Sequence, residues 1–93
     1  MVVTPTARRN LASLIETRSL PASAPERIRR ALDPLHDFPR LGATLEGRWA
    51  GMRVILGPWR WMILVYRYDE AIDKVAVVTI QDSRAARSAA TSR

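Results

Sequence analysis

The stretch that decides the fold is RVILGPWRWMILVYRY, residues 53–68. It holds two apolar runs rich in β-branched and aromatic residues, a composition that favours strands. Gly57-Pro58 joins the two runs, and this dipeptide is typical of a turn, so the stretch predicts a β-hairpin. Alternation places two sets of side chains on opposite faces of the second strand: Met62, Leu64 and Tyr66 on one, and Trp61, Ile63 and Val65 on the other. Because both sets are apolar, we expect both faces to be covered.

Two helices are predicted upstream of this hairpin. Val2-Val3 forms a short strand, and Thr4 is then an N-cap for a helix over residues 5–18, whose apolar side chains recur at helical spacing. Residues 19–22 are a linker. The two helices are expected to form a helical hairpin that lies on a sheet.

The second helix has a start signal and a stop signal. Ser23 and Glu26 have the spacing of a capping box, in which each side chain satisfies a backbone N–H group. Pro34 should end the helix near Asp33, because proline lacks the N–H group and clashes with the preceding turn.

Three strands are predicted after a loop at residues 41–47, and they span residues 49–56, 60–68 and 74–81. The expected fold class is therefore α+β: a short N-terminal strand, a helical hairpin, and a three-stranded antiparallel meander. We expect a single domain over residues 1–87, followed by a flexible basic tail at residues 88–93.

Composition limits the classes of function. The 93 residues contain no cysteine, so disulfides and thiolate metal sites are excluded. The sequence predicts no membrane span and no signal peptide, so we expect a cytoplasmic protein. The formal charge is +6, and residues 41–68 hold four arginines against one acid. This balance favours an acidic or polyanionic partner.

The order of the elements and several local strings resemble the RelE/ParE superfamily of bacterial toxins from type II toxin–antitoxin modules. The resemblance covers about residues 2–87. The strings that carry it are TPTARRNL at residues 4–11, LEG at 45–47, GPWR at 57–60, VY at 65–66, and the last strand with its terminal arginine at 77–84.

The resemblance implies two alternative activities. RelE-like members cleave mRNA on the ribosome, and Arg53, Arg60 and Arg84 align with basic residues of their cleavage site. ParE-like members share the fold without this nuclease set and inhibit DNA gyrase. RelE-like nucleases commonly place a tyrosine or histidine near the C-terminus, where this chain has Ala89-Ala90. We therefore favour gyrase inhibition, with ribosome-dependent mRNA cleavage as the alternative, and a non-toxic nucleic-acid-binding domain as a third possibility.

The family also implies a partner. A cognate antitoxin would neutralise the toxin in a hetero-oligomer, and the apolar second strand is its expected docking surface. The predicted antitoxin interface consists of Trp59, Trp61, Ile63 and Val65. No cofactor and no metal are expected: His36 is the only histidine, and no second ligand lies at metal spacing from it.

Three side chains near the predicted site have alternative roles. Tyr66 and Tyr68 either stack on a base or move a proton, or they are core tyrosines with a satisfied hydroxyl. Asp82 stands where many relatives have a histidine, and it either acts as a base, pairs with Arg84 or Arg87, or caps the tail.

Two arginines have opposite sequence contexts. Arg60 lies between Trp59 and Trp61, so we expect its aliphatic stem to rest on indole surface. Arg53 has no aromatic neighbour in sequence, and its replacement by alanine is expected to change stability by less than about 0.5 kcal/mol.

Overall fold

The chain begins with strand β1 (Val2–Val3) and turns directly into helix α1 (Pro5–Thr17). Thr4 fixes this transition: its hydroxyl donates to the carbonyl of Val78 at 3.0 Å and accepts the N–H of Ala7 at 3.2 Å. The predicted N-cap is thus confirmed. The computed structural model describes residues 1–84, and the tail predicted at residues 88–93 lies outside the described residues.

Helix α2 (Ala24–Leu32) is followed by a 3₁₀ helix (Asp33–His36). The predicted stop is confirmed, since the α-helix ends two residues before Pro34. The predicted capping box is wrong, because Ser23 makes no side-chain capping bond. Its backbone (φ −80°, ψ 1°) lacks the extended conformation that directs an N-cap hydroxyl at the helix. The helix is entered instead through a turn in which Ala24 donates its N–H to the Pro21 carbonyl at 3.0 Å.

Within residues 1–84, five strands form one sheet in the order β1-β5-β4-β3-β2. The other four strands are β2 (Ala43–Thr44), β3 (Arg53–Leu56), β4 (Met62–Asp69) and β5 (Lys74–Asp82). The predicted antiparallel meander is β3-β4-β5, and the α+β class is confirmed. The sequence did not reveal β2, which pairs with β3, or the parallel pairing of β1 with β5.

Two strands begin later than predicted. Residues 49–52 were expected to open β3, but a 3₁₀ helix (Gly47–Trp49) and a turn occupy this region. Gly51 in that turn has a φ of 90°, a left-handed conformation that interrupts a strand and suits glycine. Arg60 and Trp61 likewise precede β4 and belong to the hairpin turn.

The core lies between the sheet and the two helices. Ala7 of α1 and Ile28 and Leu32 of α2 contact the helix-facing side of β4 and β5. On β4 that side is provided by Met62, Leu64 and Tyr66, all fully buried. A register shift at Val65/Tyr66 skips Val78 of β5, because Val65 pairs with Thr79 and Tyr66 pairs with Val77. The shift lets Val77 and Ile80, three positions apart, both join the core. No helix within residues 1–84 has the length and apolar character needed to cross a membrane.

Candidate interaction site at the hairpin turn

The turn between β3 and β4 presents two tryptophans at one end of the sheet. It is closed by hydrogen bonds from the Gly57 N–H to the Met62 carbonyl and from the Met62 N–H to the Trp59 carbonyl, both 2.9 Å. The rings of Trp59 and Trp61 stack with centroids 6.4 Å apart and planes inclined by 25°. Both rings also pack against the hydrophobic core. These hydrogen bonds and the packing of the two rings hold the turn in one conformation.

The cations on these indoles come from the helices. The Arg18 guanidinium, at the C-cap of α1, lies 5.0 Å from the Trp61 ring centroid, and the Arg27 guanidinium of α2 lies 5.6 Å from that of Trp59. Both distances are within the range of a cation–π interaction. Arg60 itself is exposed. The expected packing of Arg60 on the neighbouring indoles is therefore wrong: the ring faces are contacted by arginines distant in sequence.

Asp82 connects the end of β5 to this cluster. Its carboxylate accepts hydrogen bonds from the Arg18 guanidinium and from the Arg84 backbone N–H, the latter at 2.8 Å. The Arg84 guanidinium is 3.5 Å away, and only 11% of the Asp82 side chain is exposed. The predicted pairing of Asp82 with Arg84 is confirmed. The contact with Arg18 could not be predicted from local sequence, because 64 positions separate Arg18 from Asp82.

Arg53 lies at the opposite end of the hairpin. Arg53 pairs with Tyr66, whereas Met62, the first residue of β4 after the turn, pairs with Asp82. Tyr66 follows Met62 by four residues, which corresponds to about 13 Å along β4. The Nη1 of Arg53 donates to the carbonyls of Arg40 at 3.1 Å and Gly42 at 2.9 Å. The three predicted catalytic arginines therefore do not lie together. Arg60 and Arg84 are exposed near the turn, whereas Arg53 is half-buried and binds loop carbonyls.

The two tyrosines differ in environment. The hydroxyl of Tyr66 donates to the Pro39 carbonyl at 2.7 Å, accepts the Gly42 N–H at 2.9 Å, and lies in a fully buried side chain. Of the two roles considered for Tyr66, the structure supports the satisfied core tyrosine. Tyr68 is half-buried, and its hydroxyl donates to Asp73 Oδ1 at 2.8 Å. This hydrogen bond to the carboxylate is the main cause that raises the pKa of Tyr68 above 10.0.

The predicted antitoxin interface is divided between two faces of the sheet. Trp59 and Trp61 pack with the helix-side core, which corrects the expectation that Trp61 lies on the side of Ile63 and Val65. Ile63 and Val65 alternate with the core residues of β4 and pair with Leu56 and Val54 on the opposite face. Val65 is only 3% exposed. Val65 therefore offers almost no surface to a partner, and the four side chains do not form one continuous patch.

The arrangement at the turn favours binding of anions. Arg60 and Arg84 are exposed there. The acid described near them is Asp82, and its carboxylate already pairs with Arg18 and Arg84. A carboxylate held in this way is a poor general base, since its lone pairs are occupied by cationic donors. Within residues 1–84, no three metal-ligating side chains lie together.

Toxin–antitoxin complexes are among the solved structures to which this chain is similar. The chain is similar to a chain of the toxin–antitoxin complex RelBE2 from Mycobacterium tuberculosis, with 25% identity, a TM-score of 0.59, and coverage of 86% of this chain and 91% of that one. It is also similar to a double arginine-to-alanine mutant of Escherichia coli toxin RelE in complex with a peptide of the antitoxin RelB. That match has 18% identity and a TM-score of 0.64, and covers 99% of this chain and 93% of that one. No family model and no curated protein sequence matches the chain.

Proposed function

We propose that this chain, whose structural neighbours are RelE/ParE-type toxins, is the toxin of a bacterial type II toxin–antitoxin pair. The observation that carries the proposal is the likeness over 86% and 99% of the chain to proteins from toxin–antitoxin complexes. One of these neighbours is RelE in complex with a peptide of the antitoxin RelB. By analogy, the antitoxin of this chain would bind through a linear segment in the cytoplasm, where both candidate targets lie.

For the target, we propose DNA gyrase, inhibited by binding without a chemical step. Cleavage of RNA by its 2′-hydroxyl needs cations around the phosphate and groups that move protons at the attacking and leaving oxygens. Arg53 is engaged with loop carbonyls about 13 Å along the strand from the exposed arginines. The candidate proton-transfer groups are also engaged: Tyr66 is buried, Tyr68 donates its hydroxyl to Asp73, and Asp82 is paired with arginines.

The C-terminal sequence supports the same proposal. Residues 85–93 (AARSAATSR) contain no histidine, tyrosine or acid. A general acid or base for RNA cleavage therefore cannot come from their side chains. Binding to a protein target requires no such group.

Ribosome-dependent mRNA cleavage is the second candidate, and two observations favour it. One of the named neighbours is RelE itself, and the other belongs to a RelBE complex. In addition, Arg60 and Arg84 are both exposed near the same end of the sheet, where they could bind RNA phosphates. Under this alternative, they would provide electrostatic stabilisation of the transition state.

Controlled expression in a bacterial host separates these functions. Gyrase inhibition predicts induction of the DNA-damage response within minutes, with full-length transcripts preserved. Ribosome-dependent cleavage predicts cut transcripts within reading frames, a normal DNA-damage reporter, and loss of toxicity in the double variant Arg60→Ala/Arg84→Ala. Normal growth at a verified level of folded protein would contradict the toxin proposal itself and favour a non-toxic nucleic-acid-binding domain.

A further inference from the structure

Exposed apolar side chains are concentrated at one end of the molecule. Within residues 1–84, the large apolar side chains that are exposed are Met1, Val2, Phe38, Leu41, Leu56 and Ile72. Leu56 lies at the tryptophan turn, where β3 ends. The other five lie at the opposite end of the sheet, where β1 and β5 begin, the β4–β5 turn closes, and the loop at residues 37–42 crosses. We call these five side chains the apolar end.

The loop that carries Phe38 and Leu41 is fixed by hydrogen bonds. Phe38 donates its N–H to the Pro34 carbonyl at 2.9 Å, and Leu41 donates its N–H to the Phe38 carbonyl at 3.0 Å. The buried hydroxyl of Tyr66 donates to the Pro39 carbonyl at 2.7 Å. The Phe38 side chain is nevertheless 65% exposed, and that of Leu41 is 57% exposed. A partner that covers these two side chains therefore loses little conformational entropy from the loop backbone.

The same loop also forms a shallow cleft. The cleft has a volume of about 380 Å³ and is lined by Phe38, Pro39, Arg40 and Leu41. Pockets that bind ligands typically have roughly 300–1,000 Å³. One short segment thus provides both apolar projections and a cleft beside them. Such a surface suits an isologous contact, in which both copies of a chain use the same patch.

The charge around the apolar end is nearly balanced. The exposed charged residues of the loop, the β4–β5 turn and the adjoining strand ends are Asp37, Asp69, Glu70 and Asp73 against Arg40, Arg67 and Lys74. The tryptophan turn instead gathers four arginines around Asp82: Arg18, Arg27, Arg60 and Arg84. A strongly charged partner is therefore attracted to the turn. The apolar end suits a partner without excess charge, and a second copy of the same surface meets this condition.

Arg40 and Glu70 give this surface a polar contact of both signs. The Arg40 guanidinium forms an ion pair with Glu70 and lies 5.7 Å from the Tyr68 ring centroid. The two side chains are still 60% and 63% exposed. When such a pair meets its own copy across a two-fold axis, each cation faces the anion of the other copy. The charges of the surface are therefore self-complementary.

We propose that two copies of this chain form a two-fold dimer through the apolar end. Phe38 and Leu41 of each copy lie at its apolar centre, and Arg40 and Glu70 lie at its polar rim. The inference is independent of the proposed toxin function. Because the tryptophan turn is at the other end of the sheet, the dimer leaves the arginines of both turns exposed.

Sedimentation equilibrium of the purified chain over a range of concentrations tests the dimer. The wild type should fit a monomer–dimer equilibrium without larger species, because an isologous contact closes at two copies. Phe38→Ser and Leu41→Ser should each raise the dissociation constant by about tenfold or more, since each removes buried apolar surface from both copies at once. The matched control is Leu56→Ser, which removes an exposed leucine from the other end and should change the constant by less than about twofold.

Charge reversal separates a contact between copies from the ion pair within one chain. Arg40→Glu alone and Glu70→Arg alone should each weaken the dimer, because like charges then face one another across the axis. An equimolar mixture of the two variants should dimerise again, since each copy then meets the opposite charge in the other. The pair within each chain stays repulsive in the mixture, so recovery reports on the contact between copies.

Three results would overturn the dimer. A wild type that stays monomeric at every concentration would do so and leave the toxin proposal standing. Equal weakening by Leu41→Ser and Leu56→Ser, or growth into species larger than a dimer, would show non-specific apolar association. A mixture of Arg40→Glu and Glu70→Arg that associates no more tightly than either variant alone would contradict the two-fold arrangement.

Discussion

The ring of Tyr66 leaves no space for a side chain at Gly42. A Cβ atom added to Gly42 would lie 2.8 Å from Tyr66 Cε1 and 2.8 Å from the Val54 carbonyl oxygen. Real Cβ atoms do not approach other heavy atoms so closely, so either the ring or the backbone of β3 would have to move. This contact fixes the loop that crosses the end of the sheet opposite the tryptophans.

Gly42→Ala should therefore destabilise the protein by about 1–3 kcal/mol, the usual cost of overpacking a close contact. The loop would be pushed away from the sheet, and the hydrogen bonds of the Tyr66 hydroxyl would lengthen. Urea unfolding followed by tryptophan fluorescence measures the free energy of unfolding directly. A wild-type value for Gly42→Ala would mean that the loop is not packed against Tyr66 as described.

Arg53→Ala should also destabilise the protein, by about 1–3 kcal/mol, because two carbonyl groups lose a charged donor. This prediction differs from the one made from sequence, which put the change below about 0.5 kcal/mol because the two hydrogen bonds of Arg53 were not foreseen. The control is Arg67→Ala, which removes an exposed arginine from the neighbouring strand and should be nearly neutral. Equal stability of Arg53→Ala and Arg67→Ala would contradict the structural role of Arg53.

This difference has a consequence for assays of toxicity. A loss of activity in Arg53→Ala reports on the loop as well as on any phosphate contact. Only a variant that retains the loop, with its stability measured, can distinguish the two roles.

The sequence predicted the elements that carry their own local signal. Helix α1 has its N-cap at Thr4, and β4 has a continuous apolar run, so both were recognised with bounds accurate to within two residues. Strand β2 was not recognised, because two residues contain no periodicity and it exists only through pairing with β3. The same limit applied to Arg18, whose roles come from contacts with Trp61 and Asp82 far along the chain.

Local context was misleading at the hairpin turn. Arg60 has a tryptophan on each side, and adjacency in sequence suggested contact in space. In a turn, however, neighbouring side chains diverge, and both indoles point back towards the core while Arg60 faces solvent. The three predicted catalytic arginines were likewise chosen because they align with basic residues of RelE-like toxins. Only the fold shows that Arg53 lies at the other end of the hairpin from Arg60 and Arg84.

The hydrogen bond between Tyr68 and Asp73 gives a pH prediction. The raised pKa means that the folded state favours the protonated phenol, so this contribution to stability is complete below pH 10 and is lost as the pH rises through the folded-state pKa. Asp73→Asn should lower the pKa of Tyr68 towards 10.0, because the charged acceptor is removed. Asparagine suits the site since it also tolerates the left-handed backbone of Asp73, whose φ is 50°.

Carbon-13 NMR of the tyrosine rings can follow this titration residue by residue. The resonance of Tyr68 should shift at lower pH in Asp73→Asn than in the wild type. An unchanged titration of Tyr68 would show that the carboxylate of Asp73 does not accept its hydrogen bond in solution.

Arg60 and Arg18 provide a matched pair of substitutions at the tryptophan cluster. Arg60 is exposed, so Arg60→Ala should change the free energy of unfolding by less than about 0.5 kcal/mol. Arg18→Ala removes the cation over Trp61 and a partner of Asp82, and it should cost about 1–2 kcal/mol. Urea unfolding of both variants gives the comparison, and tryptophan fluorescence should change in Arg18→Ala alone. Equal destabilisation by the two substitutions would place the Arg60 stem on the indoles after all. If stability is unaffected, then a loss of toxicity in Arg60→Ala can be assigned to a contact with the target, because the folded population is unchanged.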